Sequence, residues 1–250
     1  MFAFLLVMRY MVATGMGSTD FDYSQRPNKF LYPKPQIVDV SNPTKSCELN
    51  DDMTDRSSST GGMLGTTPVI CGGNIHMTGL MNECILYGTS QVITMTSGRS
   101  HPSSVVLNNS MLWIMGGQMN MGSAMGGWHV LDSTEFVTTE GAVNGPTLAE
   151  PVMSHCSVHF PRTGTGNVYV IGGLNASSQS TNMVWVANPS NRFVFAQGPS
   201  LITARYEHMC GIMSVGTKNI IVVAGGIGRN SCHSSVEILD PLTNQWVAGN

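Results

Sequence analysis

Four short apolar runs of the chain end in a pair of glycines. The first glycines of the pairs are Gly72, Gly116, Gly172 and Gly225, so successive pairs lie 44, 56 and 53 residues apart. Each run is rich in β-branched and aromatic residues and is too short for a helix, which is typical of a strand covered on both faces. The pattern predicts an internal repeat with one such strand in every unit.

Further elements recur around each glycine pair. Upstream of three pairs, a histidine precedes a strand of small residues, and downstream a third strand follows at 82–87, 133–137, 183–186 and 235–239. A fourth strand follows a tight turn, most clearly in the last unit. There Asp240 and a proline open the turn, Asn244 tolerates left-handed backbone, and Trp246 packs back onto the sheet. Four antiparallel strands in a unit of about 50 residues predict a β-propeller blade.

The combined pattern resembles the kelch repeat over residues 36–250. The shared features are the glycine pair, a glutamate before an aliphatic pair, the segment Asp-Pro-x-Thr-Asn-x-Trp at 240–246, and an Arg-x-x-His entry. The resemblance is strong in the last unit and degenerate in the first. It implies an all-β, kelch-type β-propeller with four four-stranded blades. The expected repeats are 55–97, 98–150, 151–203 and 204–250.

The segment 36–49 matches a third and a fourth strand without the two strands that should precede them. We therefore expect two orphan outer strands at the N-terminal side of a partial propeller. Kelch propellers usually have more blades than four, so we also expect the chain to be incomplete at its C-terminal end.

Residues 1–35 are predicted to be an apolar N-terminus followed by a linker. Residues 2–8 form an apolar run that has some features of a secretory signal and equally fits a tail strand. The run is too short for a membrane span.

Two of the six cysteines have a spacing that suggests a pair. Cys71 ends a second strand and Cys84 lies in the following third strand, so they are either bridged or two buried thiols on neighbouring strands. The Cys-Gly-Gly hairpin resembles secreted invertebrate kelch proteins, which slightly favours an extracellular location over a cytoplasmic one. No partner can be chosen for Cys47, Cys156, Cys210 or Cys232.

Charge argues against nucleic acid as a partner. The chain has 12 Lys and Arg against 15 Asp and Glu, a net charge of −3, and its basic residues are scattered. A phosphate-binding surface needs them clustered. Two N-x-Ser triplets, at Asn108 and Asn175, lie at predicted turns and do not decide the compartment.

The candidate binding residues are those expected at one mouth of the central channel. They are Arg99, His101, His155, Arg205 and His208. A ring of imidazoles and guanidinium groups could bind an anion or an acidic peptide side chain. The alternative is that each histidine bonds the neighbouring blade and holds the blades together.

No residue set indicates catalysis, a metal site or a cofactor. Zinc spacings and the Gly-x-Ser-x-Gly motif are absent. Copper would need imidazoles that converge, and Tyr206, His208 and Cys210 lack a second histidine pair. The methionine-rich stretch at 115–125 fits an adaptable contact loop better than a soft-metal site.

The resemblance implies a non-enzymatic protein-protein interaction module that presents propeller loops to an unidentified protein partner. The alternatives are a copper enzyme similar to galactose oxidase and a carbohydrate-binding propeller. Fold alone does not decide between them.

Overall fold

The computed structural model describes residues 56–75, 79–120, 127–160, 166–188 and 191–249, together with the backbone of four strands within 3–49. No α-helix is present in these ranges. The predicted linker, Cys47 and residues 121–125 of the methionine-rich stretch lie outside the described residues.

Four blades follow one another along the chain, as predicted. Their strands are β5 Thr60–Leu64, β6 Thr67–Cys71, β9 Glu83–Leu86 and β10 Val92–Thr94 in the first blade; β11 Ser103–Leu107, β12 Met111–Met115, β15 Thr134–Thr138 and β16 Gly141–Asn144 in the second; β18 Cys156–Phe160, β19 Asn167–Ile171, β21 Val184–Ala187 and β22 Phe195–Gln197 in the third; and β23 Met209–Val215, β24 Lys218–Ala224, β25 Val236–Asp240 and β26 Gln245–Ala248 in the fourth. Each blade is an antiparallel four-stranded sheet in chain order.

The two strands predicted at 36–49 are present but have inner partners. They are β3 Gln36–Asp39 and β4 Glu48–Leu49, and they join β1 Ala3–Leu6 and β2 Tyr10–Thr14 in one antiparallel sheet of order β1-β2-β3-β4. The expectation of orphan strands is therefore corrected. The segment 1–35, predicted to be an apolar N-terminus and a linker, supplies both missing inner strands, β1 and β2.

The first strands of successive sheets are neighbours in space. β5 contacts β1 and β11, β11 contacts β18, and β18 contacts β23. This radial order of sheets around innermost strands is that of a β-propeller.

Three two-stranded ribbons lie beside the blades: two are formed within the connection between the second and third strands of a blade, and the third pairs such a connection with the segment that enters the third blade. They pair β7 Asn74–Ile75 with β8 Gly79–Leu80, β13 Gln118–Asn120 with β14 Trp128–Val130, and β17 Val152–Met153 with β20 Leu174–Asn175. The ribbons and the glycine pairs lie at the same end of the blades, which we call the loop face.

The apolar core lies between the blades. One cluster joins the first and second blades, a second joins the second and third, and a third joins the third and fourth. In the last cluster Trp246 is buried, as predicted, and its indole N–H donates to the carbonyl of Pro199 at 2.8 Å. Asn244 has the expected left-handed backbone, with φ of 57°.

The outer face of the fourth blade is exposed. Met209 and Met213 of β23 are 65% and 52% exposed, and Val247 of β26 is 55% exposed. In the third blade Phe160 corresponds to Met213, and Phe160 and Val158, on the same face of β18, are buried against the fourth blade. An apolar sheet face of the same kind is thus covered in one blade and open in the next.

Candidate functional site

Arg99 lies at the junction of the first and second blades and is fully buried. Its guanidinium donates to the carbonyls of Gly116 and Ser133, both at 3.0 Å, and to the Glu135 carboxylate at 2.6 Å. Its own carbonyl accepts the Gly73 N–H of the first blade at 2.8 Å. The side chain therefore holds the second blade while the backbone holds the first.

Arg205 repeats this arrangement between the third and fourth blades. It donates to the carbonyls of Gly225 and Ser235 and, at 2.7 Å, to the Glu237 carboxylate. Its carbonyl accepts the Gly173 N–H of the third blade at 2.9 Å. In each pair the buried guanidinium group bonds both backbone carbonyls and a carboxylate. These bonds offset the cost of removing the charges from water.

The carboxylates complete the junction from the other side. Glu135 accepts the Thr96 N–H at 2.7 Å, and Glu237 accepts the N–H groups of Ile202 and Thr203. Burial lowers the pKa of Arg99 and the charge of Glu135 opposes this shift.

The third blade has apolar residues at both positions of this pair. The carbonyl of Val152 accepts the Gly117 N–H, so Val152 has the place of Arg99 and Arg205. Trp185 lies opposite Val170, two residues before a glycine pair, which is the register of Glu135 and Glu237. Arginine and glutamate are thus both replaced here, and neither charge is left buried alone.

Two of the predicted histidines lie in matching places between blades. His155 is fully buried and its Nε2 lies 2.6 Å from the Ser103 hydroxyl of the preceding blade. A side chain added at Gly116 would lie 3.0 Å from His155, and one at Gly172 would lie 2.8 Å from His208. The first glycine of a pair therefore makes room for the histidine of the next blade.

Burial lowers the pKa of both side chains. It lowers the pKa of His155 to about 3, and burial together with the charge of Arg205 lowers that of His208 to about 4. Both imidazoles are neutral near pH 7.

His101 does not share that place, so the expected register of three equivalent histidines is wrong by one residue. His101 has φ of 56°, like Ser154 at 51° and Glu207 at 53°, while Pro102 takes the place of His155. His101 is half-buried, with its Nε2 3.0 Å from the Ser58 hydroxyl. Burial lowers the pKa of His101 as well.

These left-handed residues form a chain of backbone hydrogen bonds from blade to blade. The His101 N–H donates to the Ser58 carbonyl, the Ser154 N–H to the His101 carbonyl, and the Glu207 N–H to the Ser154 carbonyl, at 2.9, 3.0 and 2.9 Å. Each junction between the four blades has one such bond.

A second series links the innermost strands through side chains. The Thr60 and Ser104 hydroxyls are 2.7 Å apart across the first junction, and those of Ser103 and Ser157 are 2.5 Å apart across the second. At the third junction a disulfide joins Cys156 to Cys210. In strand register the three pairs are equivalent, so a covalent bond stands where the other junctions have a hydrogen bond.

The predicted disulfide is present as well. Cys71 and Cys84 lie directly opposite each other on β6 and β9 and are bonded. Both are fully buried inside the first blade. Of the other cysteines in the described ranges, Cys232 is free and exposed.

A pocket of about 390 Å³ lies on the loop face between the third and fourth blades. Ser178, Gln179 and Ser180 line it from the third blade, Tyr206 from the junction, and Arg229 from the fourth blade. Arg229 is exposed, in contrast to Arg99 and Arg205. The pocket offers hydroxyl, amide and guanidinium groups to a ligand.

Neither a metal-binding group nor a membrane helix is found where side chains are described. No three His, Cys, Asp or Glu side chains come together there as metal ligands. The same ranges contain no helix with the length and hydropathy of a membrane span.

A family model of the kelch motif matches residues 210–250, the segment that contains almost the whole fourth blade. The fourth blade contains a kelch motif, and the four blades together fit a kelch-repeat β-propeller. A search of curated proteins found no match. Kelch repeats occur in protein-interaction propellers and are generally non-enzymatic.

Sequence reasoning missed the Cys156–Cys210 disulfide of this propeller and the residues that Arg99 and Arg205 contact. The two cysteines are 54 residues apart, about one repeat, and both follow an entry histidine. Aligning the repeats on their glycine pairs would have placed them on adjacent innermost strands.

Proposed function

We propose that this kelch propeller is a non-enzymatic protein-interaction module that binds its partner on the loop face. The observation that carries the proposal is the pocket between the third and fourth blades. It lies where connections of two blades meet, and its exposed side chains are polar.

The burial of the other candidate groups supports this choice. Arg99, Arg205, His155 and His208 are at most 3% exposed, and the terminal nitrogens of the two arginines donate to carbonyls and carboxylates of the propeller itself. We infer that these four residues hold blades together, and that a partner meets the surface above them. His101, half-buried and bonded to Ser58, has the same role.

The pocket chemistry suggests which part of a partner binds. Arg229 provides an exposed cation, and Tyr206, Ser178 and Ser180 provide hydroxyl groups that can donate to oxygen atoms. Such a set fits a carboxylate of a peptide segment, since guanidinium and hydroxyl donors together satisfy its oxygens.

Selection of a displayed peptide library on the immobilised full chain tests the proposal. We expect enrichment of peptides with an acidic residue, and at least tenfold weaker binding by Arg229→Ala. The matched control is Arg192→Ala, since Arg192 is equally an exposed arginine but lies in the β21–β22 connection. Peptides that bind the unmodified chain, Arg229→Ala and Arg192→Ala equally well would refute the loop-face site. Stoichiometric copper in the purified chain would favour the oxidase alternative instead.

A further inference from the structure

Two surface asparagines carry the acceptor triplet for N-linked oligosaccharide, and neither belongs to the pocket or to the blade junctions. Asn108 begins the triplet Asn108-Asn109-Ser110, and Asn175 begins Asn175-Ala176-Ser177. The structure places both triplets at turns, which is where such a modification can be accommodated.

Asn108 is at the tip of the β11–β12 hairpin. Asn108, Asn109 and Ser110 are all exposed, and the two asparagines have φ of 50° and 56°. The connection from Leu107 to Met111 is a tight three-residue turn, and asparagine tolerates the left-handed backbone that it requires. The tip is at the end of the strands away from the glycine pairs, so a glycan there leaves the loop face open.

Asn175 opens a turn on the loop face. Its Oδ1 accepts the N–H groups of Ser177 and Gln179, at 2.9 and 3.0 Å. The turn thus uses the side-chain oxygen, whereas the oligosaccharide is attached to Nδ2. Modification leaves both hydrogen bonds in place, and the two residues after Asn175 are exposed.

The disulfides supply an independent argument about the compartment. The Cys71–Cys84 disulfide cross-links two strands within the first blade, and the Cys156–Cys210 disulfide cross-links the third blade to the fourth. Structural disulfides form in oxidising compartments, and the secretory pathway is where nascent chains receive N-linked glycans.

We propose that Asn108 and Asn175 are N-glycosylated. The donor is a lipid-pyrophosphate-linked oligosaccharide. Nδ2 of the asparagine forms a bond to the anomeric carbon of the first sugar and loses one proton. The bond from that carbon to the pyrophosphate oxygen breaks, and the lipid pyrophosphate leaves. The inference does not depend on the proposed function, although a glycan on Asn175 would stand beside Ser178 at the edge of the pocket.

Expression of the full chain behind a cleavable secretory leader in cultured animal cells tests the proposal. Peptide-N-glycosidase in ¹⁸O-water converts each glycosylated asparagine into labelled aspartate, which peptide mass mapping locates. We expect label at Asn108 and Asn175. The triplet Asn188-Pro189-Ser190 is an internal negative control, because its central proline blocks transfer.

Variants separate the two sites. Ser110→Ala should abolish label at Asn108 alone and Ser177→Ala at Asn175 alone, whereas Ser110→Thr and Ser177→Thr should retain it. Absence of label at both asparagines in chain that entered the pathway overturns the proposal, and absence at one overturns it for that asparagine. Label that persists in the alanine variants also overturns it.

Discussion

Removal of the Glu135 carboxylate tests whether the buried arginine pairs hold the blades together. Both side chains of the Arg99–Glu135 pair are 0% exposed, with nitrogen and oxygen 2.6 Å apart. Glu135→Ala leaves the guanidinium buried without its counter-charge, which typically costs about 3–5 kcal/mol. It also removes the acceptor of the Thr96 N–H. Since domains are stable by only about 5–15 kcal/mol, the loss is large.

The exposed pair in the fourth blade provides the control. Lys218 and Asp240 are 3.7 Å apart, and the lysine side chain is 65% exposed. Solvent screens such a pair, so Lys218→Ala should cost at most about 1 kcal/mol.

The third blade suggests a compensating variant. Val152 and Trp185 show that this fold accepts apolar residues at both positions. Arg99→Met with Glu135→Leu should therefore cost less than Glu135→Ala alone, because no charge is left unpaired. With Arg99→Met and Glu135→Leu measured singly as well, the double variant should cost less than the sum of the two by about 1 kcal/mol or more.

Urea unfolding of the full-length variants, followed by intrinsic fluorescence, measures these differences. Midpoints and slopes together give the free energies of unfolding. If Glu135→Ala is no more destabilising than Lys218→Ala, the pair does not lock the blades. If the double variant is less stable than Glu135→Ala, the charge argument is refuted.

Three further predictions follow from the junctions and the open face. Non-reducing peptide mapping should recover Cys156 joined to Cys210, and replacing both by Ser should cost about 2–4 kcal/mol; free thiols would contradict this. His155 has its ordinary pKa of 6.5 in the unfolded chain, whereas burial lowers it to about 3 in the folded chain. Since the unfolded chain therefore binds the proton more tightly, the free energy of unfolding should fall as the pH falls from 6.5 towards 3. His155→Gln should reduce that slope, and an unchanged slope would refute the assignment. The exposed apolar face of the fourth blade should make the isolated chain dimeric or aggregation-prone, and Met213→Lys with Val247→Lys should reduce association in light scattering; a wild-type monomer that resists concentration would contradict this.

The candidate site shows how far repeat reasoning reaches. The repeat pattern singled out Arg99, Arg205 and the histidines and predicted that they line one mouth of the central channel, with bonding of the histidines to the neighbouring blade as the alternative. In the structure Arg99, Arg205, His155 and His208 are buried between blades. Their partners, such as Glu135 and Ser103, are 36 and 52 residues away along the chain. Contacts between directly neighbouring strands were easier to predict from the sequence. Cys71 and Cys84 are an example, because they lie opposite each other on adjacent strands of one blade.

The strands, the glycine pairs and the tight turns were determined by the sequence itself, because apolar patterning and turn chemistry act over a few residues. The tertiary structure decided how one blade meets the next. The spacing of the repeats predicted that His101 is equivalent to His155. In the structure Pro102 is the residue equivalent to His155, and the shift of one residue places the His101 side chain in a different environment. The Cys156–Cys210 bond and the inner partners of β3 depend in the same way on register between distant segments. That register is set by packing of whole sheets, which no local pattern encodes.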